Sequence, residues 1–282
     1  MLAIIALLLG SPAVIHAQCD ATRSNCAQAA ANAADPLQFW NVVEAAMRST
    51  TLSRAAWLAK HEVVRGDTKR AVLALTPDCG VYPWQLNDVL DMAKEQRVPL
   101  TVFILGSMIP KYPQESRAVI RRLAAEGHEI GLHGYTHLSF RDMTQAEVED
   151  ELIRTWSLID WSLGYHYPVR FVRPPYGARN KDVWEWLGGM GLQSVFWSMD
   201  SMGWRDFATP LIVQAQVGGK AQNGDVVVMH CSAVSDRAAF PQVVRDLRAK
   251  GLQPDLLSRI AEPLPPDSAE LRFSRVPLVL VR

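Results

Sequence analysis

From residue 70 to residue 230 the chain alternates short, almost uninterrupted apolar runs with longer stretches of helical periodicity, and this alternation limits its fold more than any other feature. The strand-like runs are Arg70–Asp78, Leu100–Gly106, Glu129–Gly134, Arg170–Pro174, Leu192–Asp200 and Asp225–His230. Runs that are apolar throughout belong to strands buried on both faces, as in a parallel sheet. Helical stretches separate or follow them: Trp84–Arg97, Gln114–Glu126, Thr144–Leu163, Lys181–Met190, Pro210–Val217 and Pro241–Lys250. Three of these carry start signals. Thr144 with Glu147 is a capping box, Asn180 precedes a helix as its cap, and Thr209-Pro210 is a cap followed by proline at the first helical position. Such βα units imply an α/β fold with right-handed crossovers, either an open doubly wound sheet or a barrel. Periodicity does not choose between the two.

The flanks differ. Residues 1–17 read as a signal peptide, with an apolar run from Leu2 to Leu9 and a cleavage site near Ala17, although no positive charge precedes the run. The expected localisation is therefore secreted, periplasmic or cell envelope. That run is too short to span a bilayer, and no later run reaches the length needed, so no stable membrane span is expected. Residues 18–65 are Ala-rich and read as a helical leader with Trp40 and Trp57 as packing anchors. Residues 263–282 form a tail in which Val276–Val281 resembles an edge strand. Lys+Arg and Asp+Glu both number 29, and the absence of a basic run argues against a nucleic-acid partner. Of the four cysteines, Cys19 and Cys26 are close enough to pair, whereas Cys79 and Cys231 are far apart in sequence.

Reactive residues recur where the strands end, which in parallel βα folds is where sites are built. Asp78 and Cys79 end the first strand, His133 and His137 follow the third, and Arg173 and Tyr176 follow the fourth. Asp200 ends the fifth and His230 the last. Two imidazoles four residues apart, after a strand and a glycine at 134, suit one metal ion. They also suit ordinary core or surface positions. Arg173, stiffened by Pro174 and Pro175, would hold a neighbouring carboxylate ionised. His128 and His166 lie in less telling contexts and read as structural.

Taken together these segments resemble the NodB-like polysaccharide deacetylases, carbohydrate esterase family four, over roughly residues 66–262. The family's Thr-Phe-Asp-Asp-Gly motif matches Thr76 to Gly80 with two changes, and its His-Ser/Thr-x-x-His motif matches His133 to His137 with Gly134 at the second place. Its Arg-Pro-Pro-Tyr-Gly motif matches Arg173 to Gly177 in full. Its Asp-Ser-x-Asp-Trp motif matches Asp200 to Trp204 in part, and its terminal Leu-x-His matches Val228 to His230. The resemblance implies a distorted, TIM-like (β/α) barrel of the NodB type behind the helical leader. It implies hydrolysis of N-acetyl groups on a carbohydrate of the N-acetylglucosamine type, chitin-like or peptidoglycan. It also implies a divalent cation, zinc first, with iron or cobalt as alternatives.

Carried over by position, His133 and His137 bind that metal, Asp78 is the general base, and Arg173 orients Asp78. Tyr176 lends its backbone N–H to the oxyanion and His230 is the acid. Trp204, Tyr135, Asp200 and Tyr176 shape the sugar pocket. The chain departs from the family twice. Cys79 replaces the aspartate that is the third metal ligand. A thiolate could serve instead, which is the preferred reading; Cys79 could pair with Cys231, or be a small inert residue. Gly203 replaces the aspartate that tunes the acid histidine. These departures motivate an alternative, a catalytically silent carbohydrate-binding protein on the same barrel.

Overall fold

The computed structural model describes residues 36–265, except Ser49 and Val81. The expected signal peptide, the Cys19 and Cys26 pair and the expected tail strand lie outside the described residues. Two leader helices come first, α1 (Pro36–Arg48) and α2 (Leu52–Leu58). Their anchors are Phe39, Val42, Val43 and Leu58, all buried, while Trp40 and Trp57 are only partly covered. Here the aliphatic residues facing the sheet-covering helices, rather than the larger indoles, do the packing.

The main body is a curled sheet of parallel strands, and the barrel expected from the sequence is the architecture found. The strands are β1 (Val72–Cys79), β2 (Thr101–Ile104), β3 (Glu129–Leu132), β4 (Phe171–Val172), β5 (Gln193–Ser194), β6 (Met199–Asp200) and β7 (Val226–His230), in the order β5-β4-β3-β2-β1-β7-β6. A short β8 (Gln253–Pro254) pairs with the start of β1. Strands β5 and β6 are the two edges of this order. The segment before β1 spans part of the seam between them, Val63 pairing with Val195 and Arg65 with Asp225. Between the strands lie α3 (Pro83–Gln96), α4 (Met108–Lys111), α5 (Pro113–Ala125), α6 (Gln145–Leu163), α7 (Lys181–Gly189) and α8 (Pro210–Val213). After β7 come α9 (Val234–Ala249) and α10 (Leu257–Ile260).

The caps are where the sequence puts them. Thr144 and Glu147 form the reciprocal capping box of α6, Asn180 Oδ1 accepts from Val183 N at 3.0 Å, and Thr209 Oγ1 accepts from Ile212 N at 3.3 Å. Two boundaries move. The run Leu192–Asp200 is not one strand but two, β5 and β6, with different neighbours. The stacked rings of Phe196 and Trp197, 3.9 Å apart, occupy the break. The last long helix starts at Val234, not Pro241, and carries Pro241 in its interior. Packing of Phe240, Val243, Val244 and Leu247 against the core outweighs the proline's local cost. Among the described residues no helix is long and apolar enough to cross a membrane.

Strand β1 is central because it pairs with both β2 and β7. Its pairing with β7 sets Asp78 directly opposite His230. One residue further on, Cys79 and Cys231 are joined by a disulfide, with a Cα–Cα separation of 5.0 Å, within the range such bonds require. The link closes a loop of 152 residues. Replacing both cysteines by alanine is expected to lower stability by about 2–5 kcal/mol, chiefly by freeing the unfolded chain. Urea denaturation checks this, and the wild-type protein treated with a thiol reductant should show the same loss.

Candidate active site

Asp78 is the centre of the site. It is buried, and its Oδ1 accepts from Arg173 Nη1 at 2.6 Å. Arg173 is wholly buried, a cost its two terminal nitrogens offset by hydrogen bonding, while Nε has no partner among the described residues. Here Nη1 also reaches the carbonyl of Thr76 at 3.0 Å, and Nη2 reaches Thr76 Oγ1 at 2.7 Å and the carbonyl of Phe196 at 3.3 Å. The flat face of the guanidinium lies over Phe103, 4.2 Å from its ring centre. Burial by itself would raise the Asp78 carboxyl. Arg173, then His133 and His230, outweigh burial and hold it below the ordinary carboxylate range. The carboxylate is therefore ionised, and its Oδ2 faces His133 Nε2 at 3.7 Å.

The two loop histidines converge beside it. His133 directs Nδ1 to the carbonyl of Arg173 at 2.7 Å, which fixes the ring and leaves Nε2 towards Asp78. His137 packs edge-on against His133, with centroids 5.1 Å apart, and against Tyr176 at 4.6 Å. Burial pushes both imidazoles down, His137 to about 4, with the neighbouring His133 adding to the shift, so both rings are neutral. The turn carrying them needs positive φ at Gly134 (76°) and at His137 (68°). Glu151, a buried acid on α6, holds the turn through Tyr135 N at 2.7 Å, Thr136 N at 2.8 Å and Thr136 Oγ1 at 2.9 Å.

Tyr176 takes φ 59° after two prolines, and its ring is 70% exposed. Its N–H has no acceptor among the described residues. The next residue, Gly177, has φ 63°, and a Cβ there would lie 2.9 Å from Trp197 and closer still to Phe196. Gly177→Ala is thus expected to cost about 1–3 kcal/mol through strain and overpacking. Thermal unfolding would show the loss. Arg179 braces the same loop, donating to the Gly177 carbonyl at 3.0 Å and to both oxygens of Glu62.

His230 stands across from Asp78, partly open to solvent. Burial lowers its proton affinity, but the carboxylate of Asp236, 3.8 Å from Nδ1, and the negative charges of Asp78 and Asp200 together raise it above the usual imidazole value. Asp200 accepts from Met202 N at 2.7 Å and from the exposed indole of Trp204, Nε1 to Oδ2 at 3.2 Å. Tyr135 lies under the Arg154 guanidinium, 3.8 Å from its ring centre. His128 and His166 are structural, as their contexts suggested: His128 Nδ1 accepts from Leu100 N at 3.1 Å and His166 Nδ1 pairs with Asp160 at 2.6 Å.

A family model for polysaccharide deacetylases matches residues 65–195. A chitooligosaccharide deacetylase of Bradyrhizobium is 35% identical over 55% of this chain and 68% of its own length. The chain belongs to the polysaccharide deacetylase family. A peptidoglycan-N-acetylglucosamine deacetylase of Listeria monocytogenes is 31% identical over 68% of the chain, which spans 39% of that relative's length. Among solved structures, that of the Bc1960 peptidoglycan N-acetylglucosamine deacetylase superposes with a TM-score of 0.66 at 26% identity, covering 74% of this chain and 97% of that one.

Membership in the polysaccharide deacetylase family makes the metal the question to ask of these side chains. His133 and His137 are suitable donors, being neutral and convergent. The third donor is not there. Cys79, expected from the sequence to complete the set as a thiolate, has its sulfur bonded to Cys231, and a disulfide sulfur carries no charge to offer a cation. Among the described residues no group of three His, Cys, Asp or Glu side chains is placed to hold a metal ion. The donors present therefore do not complete the three-ligand centre that the family resemblance implies.

Proposed function

We propose that this chain is an exported hydrolase that removes acetyl groups from the amide nitrogen of an N-acetylglucosamine-type glycan, peptidoglycan or a chitin-like oligomer. One observation carries the reading: a buried carboxylate at Asp78, held ionised by Arg173, and an imidazole at His230 with raised proton affinity are register partners on adjacent strands. Amide hydrolysis needs a base for water, a donor to the oxyanion and an acid for the departing amine. Asp78 takes the proton from water, held to that task by Arg173. The Tyr176 N–H faces the oxyanion, and His230 gives its proton to the leaving nitrogen. Trp204 and Asp200, with Tyr176 and Tyr135, line the approach for the sugar. The names of the relatives support this substrate class.

A divalent cation, zinc before iron or cobalt, is the cofactor that goes with this reading, and His133 and His137 are the imidazoles it would meet. Acetate release from N-acetylglucosamine oligomers and from peptidoglycan, with and without chelator and with each cation restored, tests activity and cofactor together. Acetate release is the expected result; its loss with chelator and return with zinc would assign the cation to His133 and His137 in spite of the missing third donor. No release from any glycan under any of these conditions would overturn the reading. Export is tested by fractionating cells that express the full chain.

The Cys79–Cys231 disulfide favours one second reading, a protein that binds carbohydrate without turning it over. Tight oligomer binding with no acetate release, unaltered in Asp78→Asn, would select it.

A further inference from the structure

Gly203 is not among the residues with positive φ, so its backbone conformation does not call for glycine. What bars a side chain there is Asp236. A Cβ on Gly203 would lie 2.9 Å from Asp236 Oδ2 and closer still to Oδ1 and Cγ. The space beside Gly203 is already filled by a carboxylate delivered from the first turn of α9. That carboxylate is 2% exposed. Its Oδ2 accepts the backbone N–H of His230 at 2.8 Å and lies 3.8 Å from His230 Nδ1. Both His230 Nδ1 and Asp236 Oδ1 are buried without a hydrogen-bond partner. A donor nitrogen and a carboxylate buried in one place with hydrogen-bonding capacity left over on each are costly unless they serve each other, and the 3.8 Å from Nδ1 to Oδ2 is little more than a hydrogen bond's length.

We propose that Asp236 is a positioning residue for His230: its carboxylate, standing where a residue-203 side chain would otherwise stand, fixes the imidazole with Nδ1–H turned inward and Nε2 turned to the substrate. The proposal rests on the reading of His230 as the acid. An aspartate in a helix's first turn also stabilises the helix, but that role requires neither contact with residue 230 nor a glycine at 203. The other charged or titratable groups facing His230 are Asp78 from β1, Asp200 from β6, and His133 and His137 from the loop after β3. Among the described residues only Asp236 has a carboxylate oxygen within 4 Å of His230 Nδ1. A hydrogen-bond partner on one ring nitrogen selects the tautomer and aims the other nitrogen.

The test uses the full chain and three variants: Asp236→Asn, Asp236→Ala, and Gly203→Asp combined with Asp236→Ala. Nitrogen-15 shifts of the His230 ring, assigned by their loss in His230→Gln, report the tautomer without reference to turnover. At a pH high enough for the ring to have lost its second proton, the wild-type ring is expected as the Nδ1–H form and the Asn and Ala variants as mixtures. Their kcat for acetate release should fall roughly 10–100-fold with KM little changed. The double variant, with its carboxylate restored from the opposite side, should regain the single tautomer and much of kcat. An unchanged ring spectrum in Asp236→Asn, or a folded double variant no better than Asp236→Ala, would overturn the proposal. If the wild-type chain releases no acetate at all, the hydrolase reading fails, while the ring spectra still decide the role of Asp236. Should Asp236→Ala not fold, the nearly isosteric Asp236→Asn decides it.

Discussion

Asp78→Asn is expected to lower kcat for acetate release on the order of 10²–10⁴-fold, the usual worth of a positioned general base. The asparagine keeps the shape of the side chain and an oxygen for Arg173 Nη1, now 2.6 Å from Asp78 Oδ1, so the fold should survive. What goes is the charge that accepts a proton from water. The wild-type pH profile should carry two limbs set by this pair. Arg173, with His133 and His230, overcomes burial and depresses the Asp78 carboxyl, so activity should persist on the acid side to below the ordinary carboxylate range. Asp236, Asp78 and Asp200 outweigh burial and raise His230, so the alkaline limb should lie above the ordinary imidazole value near 6.5. The same shifts govern stability. The Asp78 contribution is present above its unfolded-state value and is lost as pH falls through the depressed folded value. The His230 contribution is present below about 6.5 and is lost as pH rises through its raised folded value. In Asp78→Asn the acid limb should vanish along with most of the rate. A variant that retains full activity and the same acid limb would remove Asp78 from the mechanism.

Arg173→Met is expected to be the most destabilising single change in the barrel. The guanidinium is fully buried, ties Asp78 to the carbonyls of Thr76 and Phe196, and has Thr76 Oγ1 as a further acceptor. Methionine fills much of the volume but leaves Asp78 as a buried anion facing no cation of fixed charge. Breaking such a pair from one side costs about 3–5 kcal/mol, or roughly 6–20 °C in the melting temperature of a domain of this size. The loss should be smaller at low pH, where Asp78 can take up a proton and shed its charge. A melting temperature that hardly moves at neutral pH would contradict this account. Lysine is not a conservative alternative, because its single ammonium cannot reach all four oxygens that the planar fork serves.

Much of the site was legible because it is local in sequence. Asp78, the His133–His137 pair and Arg173 lie at strand ends that apolar runs mark plainly, and that placement, with the family motifs they belong to, suggested their neighbourhood. The capping residues Thr144, Asn180 and Thr209 were legible for the same reason, since a cap acts within one turn. What depended on strand order was not legible. Cys79 read first as a metal ligand because it stands where the family's third ligand stands, with pairing to Cys231 as an alternative. The pairing of β1 with β7 places Cys231 opposite and selects that alternative. Asp236 was hidden by a boundary error: with the last helix started at Pro241, the turn that carries the carboxylate counted as loop. Glu151 was lost among the acids of α6, following Glu147, Glu149 and Asp150, where a buried acid satisfied by backbone N–H groups looks in sequence like one more surface charge.

The Cys79–Cys231 bond turns the stretch between those residues into a covalent ring that holds the loop histidines, Arg173 and Tyr176, with Asp78 just before its closure and His230 just inside it. A single cut by a protease in any exposed loop of that stretch therefore leaves one molecule, not two. The nicked protein should run as an intact chain on a denaturing gel and separate into fragments only once thiol is added.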